Sequence, residues 1–429
     1  MASSEQRRNF RYWLQQLHLW TGLILLLPLI VMGVTGAVLV YAHDIERLLG
    51  GGEPPAKAAG EWHSPGELVE VAKAASKEPG RIAIAVRWPT EIGEAAAVRL
   101  SRPGMAGERP QFRGGEQRQT QQPGGRQQGG QAQGRVPAQS PFAGSVQILL
   151  DPVSLEPLGT QQAMSGWVRF FHELHEQLFI SGGVGREIVG WLGVSLLLLG
   201  CSGLYLWWPR PGQRKQAFIV RRKARGARFN RELHGAVGIW SLVLFMIVNF
   251  TGVYLAFPQQ ITTAVNWVWP GRDMRAAMFQ ARVEPVRGAT PIGLDEAVAL
   301  ARDRVPDARF LNAFLPTRPD QALRIGMILP GGRGDATPNV TVIVDPWRKT
   351  VVDVFDPRTL STGESIIAWQ RALHYGQGLG WVYKFLVFIV GLIIPLFAIT
   401  GFLMWWLKRR NRRAGEKAKA AILSGQSAD

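Results

Sequence analysis

His18-Leu-Trp-Thr-Gly22, followed by Thr35-Gly36, and His234-Gly-Ala-Val-Gly238, followed by Thr251-Gly252, decide how this chain is organised. In both stretches glycine follows histidine by 4 residues and Thr-Gly follows it by 17. A second pair echoes the same way: Ser202-Gly203-Leu-Tyr-Leu-Trp207-Trp208 and Thr400-Gly401-Phe-Leu-Met-Trp405-Trp406. His175 and His374 precede those tryptophan pairs by 32 and 31 residues. Self-similarity over most of a chain is the signature of a repeated unit, here one helix, an external segment and a second helix.

The repeats lie in or beside four apolar blocks, Leu19–Tyr41, Ile188–Trp208, Ala236–Phe257 and Trp381–Leu407. Each matches the roughly 20 residues a helix needs to cross a bilayer core of about 30 Å. None holds Asp or Glu, and Lys384 is near enough to an end to snorkel. The first block exceeds the length of a cleavable signal core, so it reads as an anchor. The single cysteine, Cys201, excludes an intrachain disulfide framework or a CxxC zinc site.

The net charge of +17 is unevenly distributed. Residues 1–18, 209–232 and 408–429 hold 19 basic and 4 acidic residues, while 43–168 (13 against 13) and 258–370 (13 against 12) are close to neutral. That is the positive-inside pattern, with both termini and the basic loop cytoplasmic and the two long connections outside. Topology and anionic lipid account for the basic loop, so no nucleic-acid partner is implied.

Each long connection shows a short helix, Glu67–Ala72 and Leu294–Ala301, followed by strands. These are Arg81–Val86 and Val146–Leu150 in the first copy, Ala322–Ile328 and Val340–Val344 in the second. Both end at Asp-Pro, at Asp151-Pro152 and Asp345-Pro346, which marks a hairpin. A Gln/Gly/Arg-rich stretch at 103–141 interrupts the first copy and reads as a disordered insertion. The expected fold is an α-helical membrane protein: a four-transmembrane-helix bundle from a duplicated two-helix unit, with two small α+β external modules. The boundaries are 1–42 for the N-terminus and first span, 43–165 for module one, 166–208 for an amphipathic segment and second span, and 209–232 for the basic loop. The third span covers 233–257, module two 258–370, the fourth span 371–407 and the basic tail 408–429.

These motifs resemble the PepSY-associated transmembrane-helix proteins, whose membrane-bound members include bacterial siderophore and ferric-iron reductases. The matching residues are His18 with Gly22 and Thr35-Gly36, His175-xx-Leu178-Phe179 with Gly185-Arg186, His234 with Gly238 and Thr251-Gly252, and Leu373-His374 with Gly376 and Thr400-Gly401. The resemblance implies an inner-membrane, multi-pass di-haem reductase with PepSY-like modules. It would pass electrons from a separate cytoplasmic donor (a flavin, a quinol or a reductase) to a periplasmic ferric siderophore or other acceptor.

The residues support haem independently. Four of only seven histidines occupy repeat-equivalent positions near membrane boundaries. An axis along the membrane normal relates parallel repeats, and it would pair His18 with His234 and His175 with His374. Facing imidazoles can fill both axial positions of two b-type haems, while Gly22 and Gly238 leave room for a macrocycle. His172 lies three residues before His175 and is the alternative ligand, although the family pattern falls on His175. Arg169, Arg186 and Arg371 are candidate propionate partners. His43 and His63 read as surface residues, the tryptophan pairs as an aromatic belt, and Met246 and Met404 as packing. No acid–base or nucleophilic constellation is visible. A PepSY-bearing regulator or assembly factor, or a small transporter, are the alternative functions; neither requires four symmetric histidines.

The charge pattern makes a direct prediction. With Cys201→Ser as background, Gly226→Cys should resist an impermeant thiol reagent in intact cells, while Gly130→Cys and Gly332→Cys should react. Labelling at 226 would reverse the orientation.

Overall fold

The computed structural model describes residues 4–50, 53–57, 60–103, 145–161, 165–209, 211–212, 214–332 and 337–423. The proposed insertion at 103–141 lies outside the described residues except for Pro103.

The chain begins with helices α1 (Ser4–Ile24), α2 (Leu26–Val40) and α3 (Ala42–Leu48). The first apolar block is therefore not one straight span, since α1 and α2 meet at an angle of 66°. Pro28 explains the break: it has no N–H to give the carbonyl four residues back, and its ring crowds that carbonyl. After the first external helix, α4 (Pro65–Ala75), come strands β1 (Ile82–Arg87), β2 (Ala96–Ser101), β3 (Val146–Leu150) and β4 (Pro157–Gln161). The amphipathic α5 (Gly166–Gln177) leads into α6 (Val184–Trp207), the short α7 (Arg214–Ala217) and α8 (Gly226–Ala256). The second external segment holds α9 (Pro258–Val268), α10 (Met274–Gln280), α11 (Leu294–Arg304), β5 (Arg309–Phe314), β6 (Leu323–Ile328), β7 (Val340–Asp345) and β8 (Thr350–Phe355). The chain then runs through α12 (Thr362–His374) into α13 (Trp381–Leu423).

Three helices, α6, α8 and α13, are long and apolar enough to cross a membrane, and the bent α1–α2 pair makes a fourth if it counts as one span. At 1.5 Å per residue the 24 residues of α6 extend about 36 Å, enough for a core of about 30 Å. The 43 residues of α13 extend about 65 Å, so this helix projects well past the bilayer. Residues 408–423, expected as a separate tail, thus continue the helix, and α8 likewise starts at Gly226 inside the expected loop.

Small residues let these helices approach closely, the usual device where lipid offers no hydrophobic drive. A side chain at Gly391 would bring its Cβ within 2.9 Å of Ala37, and one at Gly193 within 2.8 Å of Val253. Between the ends of the bundle Leu29, Leu196, Phe245, Val390 and Ile394 form an apolar core, with Met246 packed against it. Lys384 is partnered as well as placed near an end: its ammonium pairs with Asp44 and lies 4.8 Å from the centre of the Tyr41 ring.

The two external segments were expected as separate modules. They instead share one eight-stranded antiparallel sheet, in the order β4-β3-β2-β1-β5-β6-β7-β8. The seam between β1 and β5 pairs Ala85 with Phe314, Val86 with Ala313 and Arg87 with Asn312. Val86 and Ala313 hold matching positions in their own meanders, pairing with Val98 and Ile325 respectively. Matching bulges fall at Ala83/Ala85 and at Phe310/Asn312. Strands β2, β4, β5 and β8 were not recognised from sequence; β2 and β5 are largely buried and so lack alternation. The Asp-Pro hairpins are present, because Asp151 and Asp345 each accept two backbone N–H groups just downstream.

Helices α4 and α11 cover one face with Leu68, Val69, Ala72, Ala297, Val298 and Ala301. They meet where Asp295 accepts hydrogen bonds from the Ser64 hydroxyl (2.8 Å) and the Gly66 amide (2.7 Å). A second apolar cluster joins Ile343 and Phe355 to Val265, Met274 and Ile367, tying α9, α10 and α12 to the sheet. The start of α12 is fixed by a capping box between Ser361 and Glu364, and Glu364 also pairs with Arg272 at 2.7 Å.

The seam is a testable weak point. Ala313→Asp would bury an unpaired carboxylate at a fully enclosed position, with an expected cost of about 3 kcal/mol or more. Val352→Asp on the exposed edge strand should change stability by less than about 0.5 kcal/mol. Thermal unfolding of the two variants in detergent checks the contrast.

Candidate functional site

The helices bring the four repeat histidines into two facing pairs. The ring centres of His18 and His234 lie 6.3 Å apart, and those of His175 and His374 lie 6.2 Å apart. The planes meet at 72° in the first pair and 39° in the second. Two imidazoles bound through bonds of about 2 Å on opposite sides of one metal have ring centres roughly 6 Å apart. Both pairs match that spacing.

Every ring is held from behind in the same way. His18 Nδ1 is 2.8 Å from the Ser202 hydroxyl, His234 Nδ1 is 2.8 Å from that of Thr400, His175 Nδ1 is 2.9 Å from that of Thr35, and His374 Nδ1 is 3.2 Å from that of Thr251. Each hydroxyl begins a hydroxyl-glycine dipeptide: Ser202-Gly203, Thr400-Gly401, Thr35-Gly36 and Thr251-Gly252. The hydroxyl protons are already committed to helix carbonyls, from Thr35 to Val31, Thr400 to Leu396, Thr251 to Val248 and Ser202 to Leu199. Each hydroxyl oxygen therefore accepts from the imidazole, which puts the ring proton on Nδ1. For His374 the Val248 carbonyl, 3.0 Å from Nδ1, enforces the same tautomer. Nε2 is left with its lone pair, as a coordinating histidine requires.

Two of the glycines in these dipeptides make the approach possible. A Cβ at Gly36 would come within 3.0 Å of His175 Cε1, and one at Gly252 within 3.0 Å of His374 Cε1. At Gly22 a Cβ would meet nothing within 4 Å, and at Gly238 only Phe397 at 3.9 Å. Gly22, Gly203, Gly238 and Gly401 line a cavity of about 1250 Å³ that also holds His18, His234, Trp207 and Trp405. Its outer part is basic, with Arg11, Arg231, Arg409 and Arg413.

The remaining expectations divide. His172 is not in the facing pair; its Nδ1 lies 3.4 Å from Glu176, so His175 alone of the two stands opposite His374. Arg186 also pairs with Glu176, and Arg371 lies over the Tyr375 ring at 5.4 Å. Arg169 is exposed and already engaged. Burial lowers the pKa of both His175 and His374 below the ordinary imidazole range, which keeps them neutral near pH 7. In the sequence Thr35, Thr251, Ser202 and Thr400 stand out only as markers of the repeat. Their regular place before glycine was the signal that they seat the histidines. Among the described residues no group of three or more His, Cys, Asp or Glu is placed to hold a metal ion.

The tautomer assignment can be measured directly. Nitrogen NMR of histidine-labelled protein purified without cofactor should show Nδ1 protonated and Nε2 bare in all four rings. Thr251→Val should leave His374 in that form, because the Val248 carbonyl remains.

With this geometry in place, comparison with known proteins is informative. A family model described as "PepSY-associated TM region" matches residues 15–408. The chain is also similar to the uncharacterized protein PA4219 of Pseudomonas aeruginosa, at 40% identity over 80 residues. That match spans 18% of this chain and 19% of the relative's length.

Proposed function

The chain belongs to the PepSY-associated TM-region family, and from that premise we propose that it is a b-type haem protein of the bacterial inner membrane. Built as a duplicated four-span bundle, it would deliver electrons from the cytoplasmic side to a periplasmic acceptor, most simply a ferric siderophore. The observation that carries this reading is the pair of facing imidazole pairs at ligation spacing, each ring tied through Nδ1 so that Nε2 is free.

The residues fit a haem at each pair. His18 and His234 would hold one, beside the cavity lined by Gly22, Gly203, Gly238 and Gly401, and His175 and His374 would hold the other. Bound haem supplies reversible one-electron ferric–ferrous cycling. The chain's own contribution is position and environment. Ser202, Thr400, Thr35 and Thr251 fix ring orientation and tautomer, and their bonds raise the basicity of Nε2. His234 and Thr251 lie 17 residues apart on α8, so the two pairs are separated by about 25 Å along the bundle. The apolar core with Phe245 and Phe397 lies in the interval.

At the basic end the arginines of the cavity suit haem propionates and a separate donor, whether reduced flavin, quinol or reductase. At the other end Arg371, which lies over the Tyr375 ring, would be the propionate partner, beneath a sheet that shapes access for the acceptor. One-electron transfer needs no general acid, general base or nucleophile. Reduction loosens a ferric chelate because the ferrous ion is less tightly held by hard oxygen donors.

Purified protein should therefore show a b-type haem spectrum with two haems per chain. His18→Ala or His234→Ala should disturb one haem, and His175→Ala or His374→Ala the other; His172→Ala and His43→Ala should leave both unchanged. Reduced anaerobically with dithionite, the wild type should be reoxidised by ferric siderophore, with ferrous iron appearing in a chelator trap. A colourless protein after full haem supply rejects the haem assignment. Reoxidation by a quinone but not by ferric chelates rejects iron alone.

A further inference from the structure

The sheet domain contains a second cavity that the electron-transfer reading does not use. It measures about 660 Å³, within the roughly 300–1,000 Å³ of small-ligand pockets. It lies at one end of the β1–β5 seam and is lined by both halves of the sheet domain: Trp62 and Trp88 from the first, Arg302, Arg309 and Phe310 from the second. We propose that this cavity is a binding site for a planar aromatic anion, such as an aromatic carboxylate or a catecholate.

Three observations converge. The aromatic wall is continuous, with Trp62 set edge-on to Trp88 at 5.7 Å and Trp88 edge-on to Phe310 at 5.6 Å. Such a wall offers ring faces and edges to a flat guest rather than to a chain-like aliphatic one. Two guanidinium groups, Arg302 and Arg309, are exposed at its margin, and neither forms an ion pair among the described residues. Asp303 is the one acidic residue of the lining, so these groups leave an excess positive charge. A guanidinium pairs bidentately with a carboxylate or with adjacent phenolate oxygens.

The third observation is the asymmetry of the seam. The matched registers place Ala83 where the second half has Phe310, Ile82 where it has Arg309, and Leu315 where the first half has Trp88. The same backbone thus closes with small and aliphatic side chains at one end. Core packing accounts for Phe310 and for the inner side of Trp88, but not for the half-exposed Trp62 or the two exposed arginines at the other. The site stands whether or not the histidine pairs hold haem.

The test is isothermal titration of the purified full-length protein with 2,3-dihydroxybenzoate, and with cyclohexanecarboxylate as a non-planar control. One saturable site is expected, with the control at least about tenfold weaker. Trp62→Ala and Arg309→Gln should each weaken binding by about tenfold or more with an unchanged melting temperature, and Trp267→Ala, an exposed tryptophan outside the cavity, should not. Trp88 is avoided because it also packs against the core of the sheet domain. Absence of saturable binding, equal binding of the control, or indifference to both Trp62→Ala and Arg309→Gln would overturn the proposal.

Discussion

Four hydrogen bonds from imidazole Nδ1 to a helix hydroxyl hold the working geometry of this protein. Each joins two elements of one half: α1 to α6, α2 to α5, α8 to α13, and α8 to α12. Each hydroxyl has one proton, already given to a carbonyl of its own helix, so only one direction of hydrogen bonding remains for the ring. Tautomer, ring orientation and helix contact are thereby set together. At two of the four sites the adjacent glycine, Gly36 or Gly252, lets the ring come close.

The same economy appears in the sheet domain. Two four-stranded meanders would each expose an edge strand, an invitation to unwanted pairing. Joining β1 to β5 removes both inner edges and makes one surface from two segments more than 200 residues apart. The second half of that surface is bonded to α9, α10 and α12 through Phe355, Ile367 and the Arg272–Glu364 pair. Because α12 ends at His374, the sheet and the upper histidine pair are mechanically one unit.

Several features departed from the reading of the chain for identifiable reasons. Hydropathy sees the Leu19–Tyr41 block as continuous, but Pro28 removes one backbone donor and turns the axis by 66°. Pro395 looks equivalent in sequence yet stays within α13, packed where Gly33 leaves room for its ring. His172 and His175 share a helix face, so spacing could not separate them; Thr35 does, because its hydroxyl reaches only His175. Strands β2 and β5 escaped notice because burial on both faces erases the alternation that marks a half-exposed strand.

What the sequence determined by itself was everything carried by local pattern. Long apolar runs require helices that can cross a membrane, the repeated His, Thr-Gly and Trp-Trp marks identify equivalent residues, and Asp-Pro marks the last hairpin of each meander. Those signals depend on composition and spacing within a few turns. The histidine pairs already follow from the repeat; the tertiary structure alone decided that each ring meets a hydroxyl and that β1 meets β5. These contacts link positions 100 to more than 200 residues apart. They follow from how helices with small-residue grooves and strands with free edges bury one another, and no local period in the chain encodes that.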